Sequence, residues 1–301
     1  MKKDFLSLLE LSSVDVTNLL KRALDFKKGV DADARPLSGK SIGMLFEKPS
    51  TRTRVSFEVG IYQLGGQPIY MNPSELQLGR GESLPDTAEI LSRYLSGIVI
   101  RTSSHTTLET FASAASIPVI SGLSDLHHPC QALADLMTML ETKKRLKDLK
   151  VAFIGDGNNV CNSLIEAAAL MEFNLDIACP EGFEPDAGIL ENARASAKSE
   201  IIILRDPREA AGIADVIYTD VWVSMGQEKN ADEKKRKLSD YQVNSRLLAC
   251  AKKDVTVLHC LPAHRGEEIT AEVMDGPHSV IFDQAENRLH TQKALLEFLI
   301  K

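Results

Sequence analysis

Ser41-Ile42-Gly43-Met44-Leu45-Phe46 is an apolar run of strand length, and Pro49-Ser50-Thr51-Arg52-Thr53-Arg54 follows it almost at once. The second stretch opens a helix-like segment, so the chain reads strand, turn, helix. At such a junction the first helical turn presents unpaired N–H groups and the positive end of its dipole. The hydroxyls of Ser50, Thr51 and Thr53 gather there with the guanidinium groups of Arg52 and Arg54. A phosphate dianion needs several donors in fixed positions, and arginine presents them as a planar fork. The segment therefore reads as an anion pocket. The plainer alternative is a Ser-capped helix carrying two surface arginines.

Outward from this junction, short apolar runs alternate with helical periodicity along nearly the whole chain, which predicts an α/β protein with mainly parallel strands. Strands are expected at 42–46, 68–71, 97–100 and 118–120, and again at 151–154, 175–178, 201–204, 216–218, 255–258 and 280–282. Helices are expected at 14–28, with Ser13 as cap, at 131–147, and from 285 to the end. The two strand series place a domain boundary near 140–150, in keeping with 301 residues being long for one core. The charged stretch 226–237 reads as an exposed loop or solvated helix.

Bulk properties exclude several classes. A net charge of −7 and a pI near 5.6 argue against nucleic acid as the main partner, so any anion site must be local. No apolar run is long enough to span a bilayer, and Met1-Lys2-Lys3-Asp4 has no signal-peptide core. Five cysteines without a C-x-x-C pair fit reduced thiols, and a cytoplasmic location is expected.

The polar residues that look chemical sit just past the strand runs. Ser50 to Arg54 follow 42–46, Arg101 follows 97–100, and His127-His128-Pro129-Cys130-Gln131 comes shortly after 118–120. Gly155-Asp156-Gly157-Asn158-Asn159 follows 151–154, Asp220 follows 216–218, and His259-Cys260-Leu261-Pro262 follows 255–258. In open parallel sheets ligands bind outside the carboxyl ends of strands. Two such sheets with those edges facing would enclose one composite site in an interdomain cleft.

Each cluster has a competing reading. Arg101 at a strand end is costly unless paired, by a bound anion or by a carboxylate such as Glu58 or Glu109. His128 and Gln131, one helical turn apart, can read the two ends of a carbamoyl or amide group. Zinc on His127, His128 and Cys130 is the metal alternative, but these neighbours converge poorly. His259, Cys260 and His264 raise the same question. The Gly155–Val160 turn resembles a dinucleotide fingerprint with valine in place of the third glycine, which keeps a nicotinamide-dependent oxidoreductase as the rival class. Cys260 as a nucleophile would want an adjacent base, whereas His259 precedes it in a strand and points to the other face.

Taken together, the motifs resemble the aspartate/ornithine carbamoyltransferase family over essentially the whole chain. Ser50-Thr51-Arg52-Thr53-Arg54 and His128-Pro129-Cys130-Gln131 match motifs shared across the family. Asp220-x-x-x-Ser224-Met225-Gly226 and His259-Cys260-Leu261-Pro262 mark its ornithine branch. The resemblance implies a carbamoyl-phosphate domain over 1–145, an amino-acid domain over 146–285, and a last helix, 286–301, returning to the first. It also implies that Ser50, Thr51, Arg52, Thr53 and Arg101 hold the phosphate and carbonyl oxygen, with His128 polarising that oxygen. Gln131, Cys260, Leu261 and Arg288 would complete the carbamoyl pocket, and Gln77 would lie on a loop given to a neighbouring subunit. Asn159, Asp220, Ser224 and Met225 would bind ornithine, with Asp220 and Cys260 near its amines. The expected activity is carbamoyl transfer from carbamoyl phosphate to L-ornithine without metal or cofactor, by a homotrimer or multiple of trimers. Transfer to aspartate or putrescine is the nearest rival.

Overall fold

Strand β1 (Ser41–Phe46) is buried at all but its first residue, which is why its sequence is apolar without alternation. It pairs in parallel with β2 (Gln67–Met71) on one side and β3 (Gly97–Arg101) on the other, and β4 (Val119–Leu123) extends the sheet to the order β2-β1-β3-β4. A second parallel sheet comprises β5 (Lys150–Ile154), β6 (Asn174–Ala178), β7 (Ile201–Leu204), β8 (Val216–Thr219) and β9 (Thr256–His259), in the order β7-β6-β5-β8-β9. This computed structural model describes residues 3–31, 33–75, 81–223 and 231–301. Gln77, Ser224 and Met225 lie outside the described residues.

The chain divides into two compact units, Met1–Met137 with Glu286–Lys301, and Thr138–Ala285. Both divisions fall inside helices, Pro129–Lys143 and Ile281–Leu299. One side of the first sheet is sealed by Leu45, Ile98, Ile100, Leu108, Phe111 and Val119. In the second unit Ile154, Ile217, Val257, Trp222 and Ile269 belong to one core cluster. Among the described residues no helix is long and apolar enough to cross a membrane.

In each sheet the chain starts in the middle, moves outward to one edge, then returns to build the other side. Strand order therefore reverses between β1 and β3 in the first unit and between β5 and β8 in the second. At such a reversal the connections leave in opposite directions and open a crevice beyond the carboxyl ends of the two strands. The Ser50–Arg54 segment and Arg101 lie at the first reversal, while Gly155–Asn159 and Asp220 lie at the second.

Local expectations fail at a few places. Residues 280–282 do not form a strand: Ile281 begins the helix Ile281–Leu299, and only Ser279 bridges to β9, at Val257. Three apolar residues cannot separate a period of 2 from one of 3.6. Here the helical period wins, burying Ile281, Gln284 and Arg288 and exposing Phe282. The first helix, Ser13–Lys27, is capped by Ser12 rather than Ser13, in a reciprocal capping box with Asp15. The helix expected at 131–147 is Pro129–Lys143. Within 226–237, the described part is helical, Ala231–Leu238.

Candidate active site

In the first unit the helix Thr51–Gln63 starts five residues after the end of β1. Its cap, Ser50, is extended, and its hydroxyl makes no capping bond. Several other helix starts are closed by side-chain oxygens: Ser12, Ser83, Ser104, Asn158 and Asp186 each accept a first-turn N–H. The turn at Thr51 is thus left open to an external acceptor, as an anion site requires. Arg52 is exposed on this turn, whereas Thr53 is buried. Arg54 departs from the sequence expectation. Its Nε donates to Glu58 at 3.1 Å and its guanidinium stacks 3.6 Å from the Tyr70 ring centroid, so it is committed to the protein's own groups.

Arg101, at the end of β3, is buried. Of the carboxylates considered for it from sequence, Glu58 pairs with Arg54, and Glu109 lies beside His105 at 4.0 Å. Glu47 ties the two strand ends together, accepting from Thr102 Oγ1 at 2.6 Å and from the Ser103 N–H at 3.1 Å. Arg288 reaches the same corner from the last helix. It is buried, and donates through Nη1 to Gln131 Oε1 at 2.7 Å and through Nη2 to Thr53 Oγ1 at 3.1 Å. Gln131 also donates to Asp135 at 2.8 Å, so its carboxamide orients Arg288 first and keeps one oxygen lone pair for a ligand.

His128 is buried, and its pKa falls well below the usual 6.5. Burial is the largest cause, followed by the positive charges of Arg288, Arg101 and Arg52. The imidazole is therefore neutral near pH 7 and offers one N–H without competing for the anion. Cys130 donates its thiol to Ser121 O at 3.3 Å, and burial pushes its pKa up to about 12. The thiol is thus engaged with the protein's own backbone. His127 instead packs edge-on against His105, ring centroids 5.2 Å apart.

In the second unit Asp220 follows β8 and is buried. Its Oδ1 accepts from Cys260 Sγ at 2.9 Å and from the Val221 N–H at 2.8 Å, while Oδ2 accepts from Asn158 Nδ2 at 2.6 Å. Cys260, half-buried after β9, is thus a hydrogen-bond donor to a carboxylate, the opposite of an activated thiolate. Its neighbour His259 is engaged with other groups. His259 Nε2 meets Glu268 at 3.0 Å, and Nδ1 accepts the Leu261 N–H at 2.9 Å. Asp220, His259 and Cys260 have atoms close enough to one another for a metal ion, yet both imidazole nitrogens are already engaged. Leu261 has φ 58° and precedes a cis bond to Pro262.

The Gly155–Val160 turn is not built for a dinucleotide. Gly155 has φ +131°, but the space a Cβ at Gly157 would take is filled by this chain's own backbone, Pro185 N lying 2.3 Å away. That is where a pyrophosphate would approach. Asn158 Oδ1 closes the helix start, accepting from Val160 and Cys161. Asp156 is occupied by Lys234 Nζ at 2.7 Å. Asn159 is the first residue of that helix and is half-buried. From sequence Asn158 reads only as part of the turn after β5, not as a cap, and Glu268 is not singled out. Asn after a Gly-Asp-Gly turn is a strong cap signal that would have flagged the first.

Two family models match the chain. Residues 3–141 match the family model for the carbamoyl-P binding domain of aspartate/ornithine carbamoyltransferase, and residues 147–299 match the Asp/Orn binding domain. The ornithine carbamoyltransferase of Syntrophus aciditrophicus is 55% identical over 302 residues, covering 100% of both chains. That of Methanosarcina mazei is 53% identical over 303 residues, again covering 100% of both. Among solved structures, ornithine carbamoyltransferase from Pyrococcus furiosus superposes with a TM-score of 0.95 at 47% identity, covering 99% of this chain and 97% of that one.

Proposed function

The chain belongs to the aspartate/ornithine carbamoyltransferase family, and from that premise we propose that it transfers the carbamoyl group of carbamoyl phosphate to the side-chain amine of L-ornithine, giving L-citrulline and phosphate. The observation carrying this reading is the uncapped start of Thr51–Gln63, set beside a neutral His128 that feels Arg52, Arg101 and Arg288. In a protein of net charge −7, such a concentration of cations fits a small, doubly charged ligand.

Phosphate leaves from a carbonyl carbon, so the reaction builds negative charge first on the carbonyl oxygen and then on the leaving group. The Thr53 hydroxyl, Arg101 and the His128 N–H meet the oxyanion. Ser50, Thr51, Arg52 and the first-turn N–H groups meet the phosphate. Arg288, braced by Gln131 and Thr53, holds the carbamoyl end. A neutral imidazole donates to the oxyanion without taking a proton, so the groups holding the leaving phosphate keep their charge through the step.

Asp220 receives an ammonium of ornithine on the remaining lone pair of Oδ2, with Cys260 beside it and Asn159, Ser224 and Met225 as further contacts. The attacking amine must be neutral. At a lysine-like pKa its deprotonation at pH 7 costs about 4–5 kcal/mol. Aspartate as acceptor would call for cations to meet a second carboxylate, whereas this unit presents Asp220 and a pair of asparagines.

The assembly belonging to this reading is a homotrimer or a multiple of trimers, with Gln77 given to a neighbouring subunit. Val55, Val59 and Tyr62, exposed on one face of Thr51–Gln63, supply apolar surface for it. Five free thiols fit a cytoplasmic enzyme of arginine metabolism. The test is to incubate the protein with carbamoyl phosphate and L-ornithine and to follow citrulline and phosphate together. One-to-one formation is expected, and phosphate release without citrulline would defeat the reading.

A further inference from the structure

We propose that Asn158 is a positioning residue that fixes the carboxylate of Asp220 for the substrate ammonium, using the two ends of one carboxamide for two tasks. The inference rests on the reading of Asp220 as the ornithine-binding acid. Asn158 and Asp220 follow β5 and β8, the adjacent strands at which the order of the second sheet reverses. Asn158 Oδ1 accepts from the N–H groups of Val160 at 3.0 Å and Cys161 at 3.2 Å. The helix start thereby pins the carboxamide, and Nδ2 is aimed at Asp220 Oδ2, 2.6 Å away. The orientation is unambiguous. Turned over, the amide would set its NH2 against two N–H groups and its oxygen against a carboxylate.

Asp220 is thus held at both oxygens, Oδ2 by Asn158 and Oδ1 by Cys260 Sγ and the Val221 N–H. A buried carboxylate tethered in this way cannot rotate, and the open lone pair on Oδ2 has a set direction. Capping alone does not call for asparagine. Serine and aspartate cap helices equally well, and this chain uses both, at Ser12 and Asp186. What asparagine adds is a donor on the far side of the cap.

That difference supplies the experiment. Asn158→Asp and Asn158→Ser both preserve the cap and both remove the donor to Asp220. Thermal midpoints within a few degrees of wild type are expected, with the KM for carbamoyl phosphate changed less than about twofold. The kcat/KM for ornithine should fall at least about tenfold in both, the lower end of what a hydrogen bond to a charged group is worth. Asn158→Asp should be the worse of the two. A second carboxylate facing Asp220 makes the pair share a proton, so its ornithine kcat/KM should decline at a higher pH than in wild type as the solution is acidified. A merely structural cap would move neither the ornithine term nor its pH profile. Should Asn158→Asp fail to fold, Asn158→Ser decides alone. Ornithine kinetics within about threefold of wild type in the folded variants would overturn the proposal. Asp220→Asn, run alongside, separates the two layers. If it leaves ornithine kinetics intact, the reading of Asp220 has failed; if it damages them while the Asn158 variants do not, only the positioning role is wrong.

Discussion

Arg52→Ala is the substitution whose outcome follows most cleanly from the structure. Arg52 is exposed on the first turn of Thr51–Gln63 and makes no ion pair among the described residues. Truncating it opens no cavity and strands no buried partner, so the unfolding free energy should stay within about 0.5 kcal/mol of wild type. Its proposed work is done only when phosphate charge develops. Removing one preorganised donor at a developing anion costs about 10²–10³ in rate, roughly 2.7–4 kcal/mol. Loss of the Arg52 charge also relaxes one of the three cationic influences on His128, though the weakest of them. Urea denaturation would check the first expectation, and citrulline formation over a range of carbamoyl phosphate concentrations the second. Arg52→Lys keeps a charge but loses the planar fork, and should fall between wild type and alanine. Activity of Arg52→Ala within about tenfold of wild type, at unchanged stability, would refute the phosphate-binding role of the helix start.

Other outcomes are expected from the same geometry. Asp220→Asn should impair ornithine use while sparing carbamoyl-phosphate binding, since its described contacts lie wholly among Asn158, Val221 and Cys260; separate titrations of the two substrates would show it. Cys260→Ser keeps a donor to Asp220 and should retain substantial activity, whereas complete loss in a steady-state assay would revive covalent catalysis. Gly157→Ala forces a methyl group against Pro185 N at 2.3 Å, a backbone atom that cannot swing aside, and should lower stability by about 1–3 kcal/mol in urea titrations. Stability should also drop with acid. His128 is neutral in both states above its ordinary pKa, but below pH 6.5 the unfolded chain takes up a proton that the folded one refuses. Each such histidine removes about 1.4 kcal/mol per pH unit until its native pKa is reached. His105 and His290 are shifted the same way, by burial first, so thermal midpoints should decline from pH 6.5 downward.

The sheets were legible in the sequence because strands buried on both faces lack polar alternation, and β1, β3, β5 and β8 are apolar runs with a polar residue at one end only. Residues 280–282 misled because three apolar residues fit either period; in the helix only Ile281 turns inward, and Phe282 is exposed. The anion corner was legible through residue type and placement, while the division of labour within it was not. Arg52 and Arg54 look alike in sequence, yet Tyr70 and Glu58 claim Arg54. Likewise Gln131 reads as a ligand contact but is first a brace for Arg288, 157 residues away in sequence. Such pairings are set by tertiary packing, which local pattern does not encode. The lowered pKa of His128 belongs with them, since it follows from burial among arginines drawn from three separate segments.

The central claim is that this chain carbamoylates ornithine in preference to its chemical neighbours. It is tested most directly by kcat/KM for L-ornithine, L-aspartate, putrescine and acetylornithine at saturating carbamoyl phosphate. Ornithine should lead the others by at least about 10³-fold: acetylornithine leaves the buried Asp220 carboxylate without an ammonium, aspartate brings a second carboxylate that this acid repels, and putrescine lacks the carboxylate of an amino acid. Equal or faster turnover with aspartate or putrescine would contradict the account.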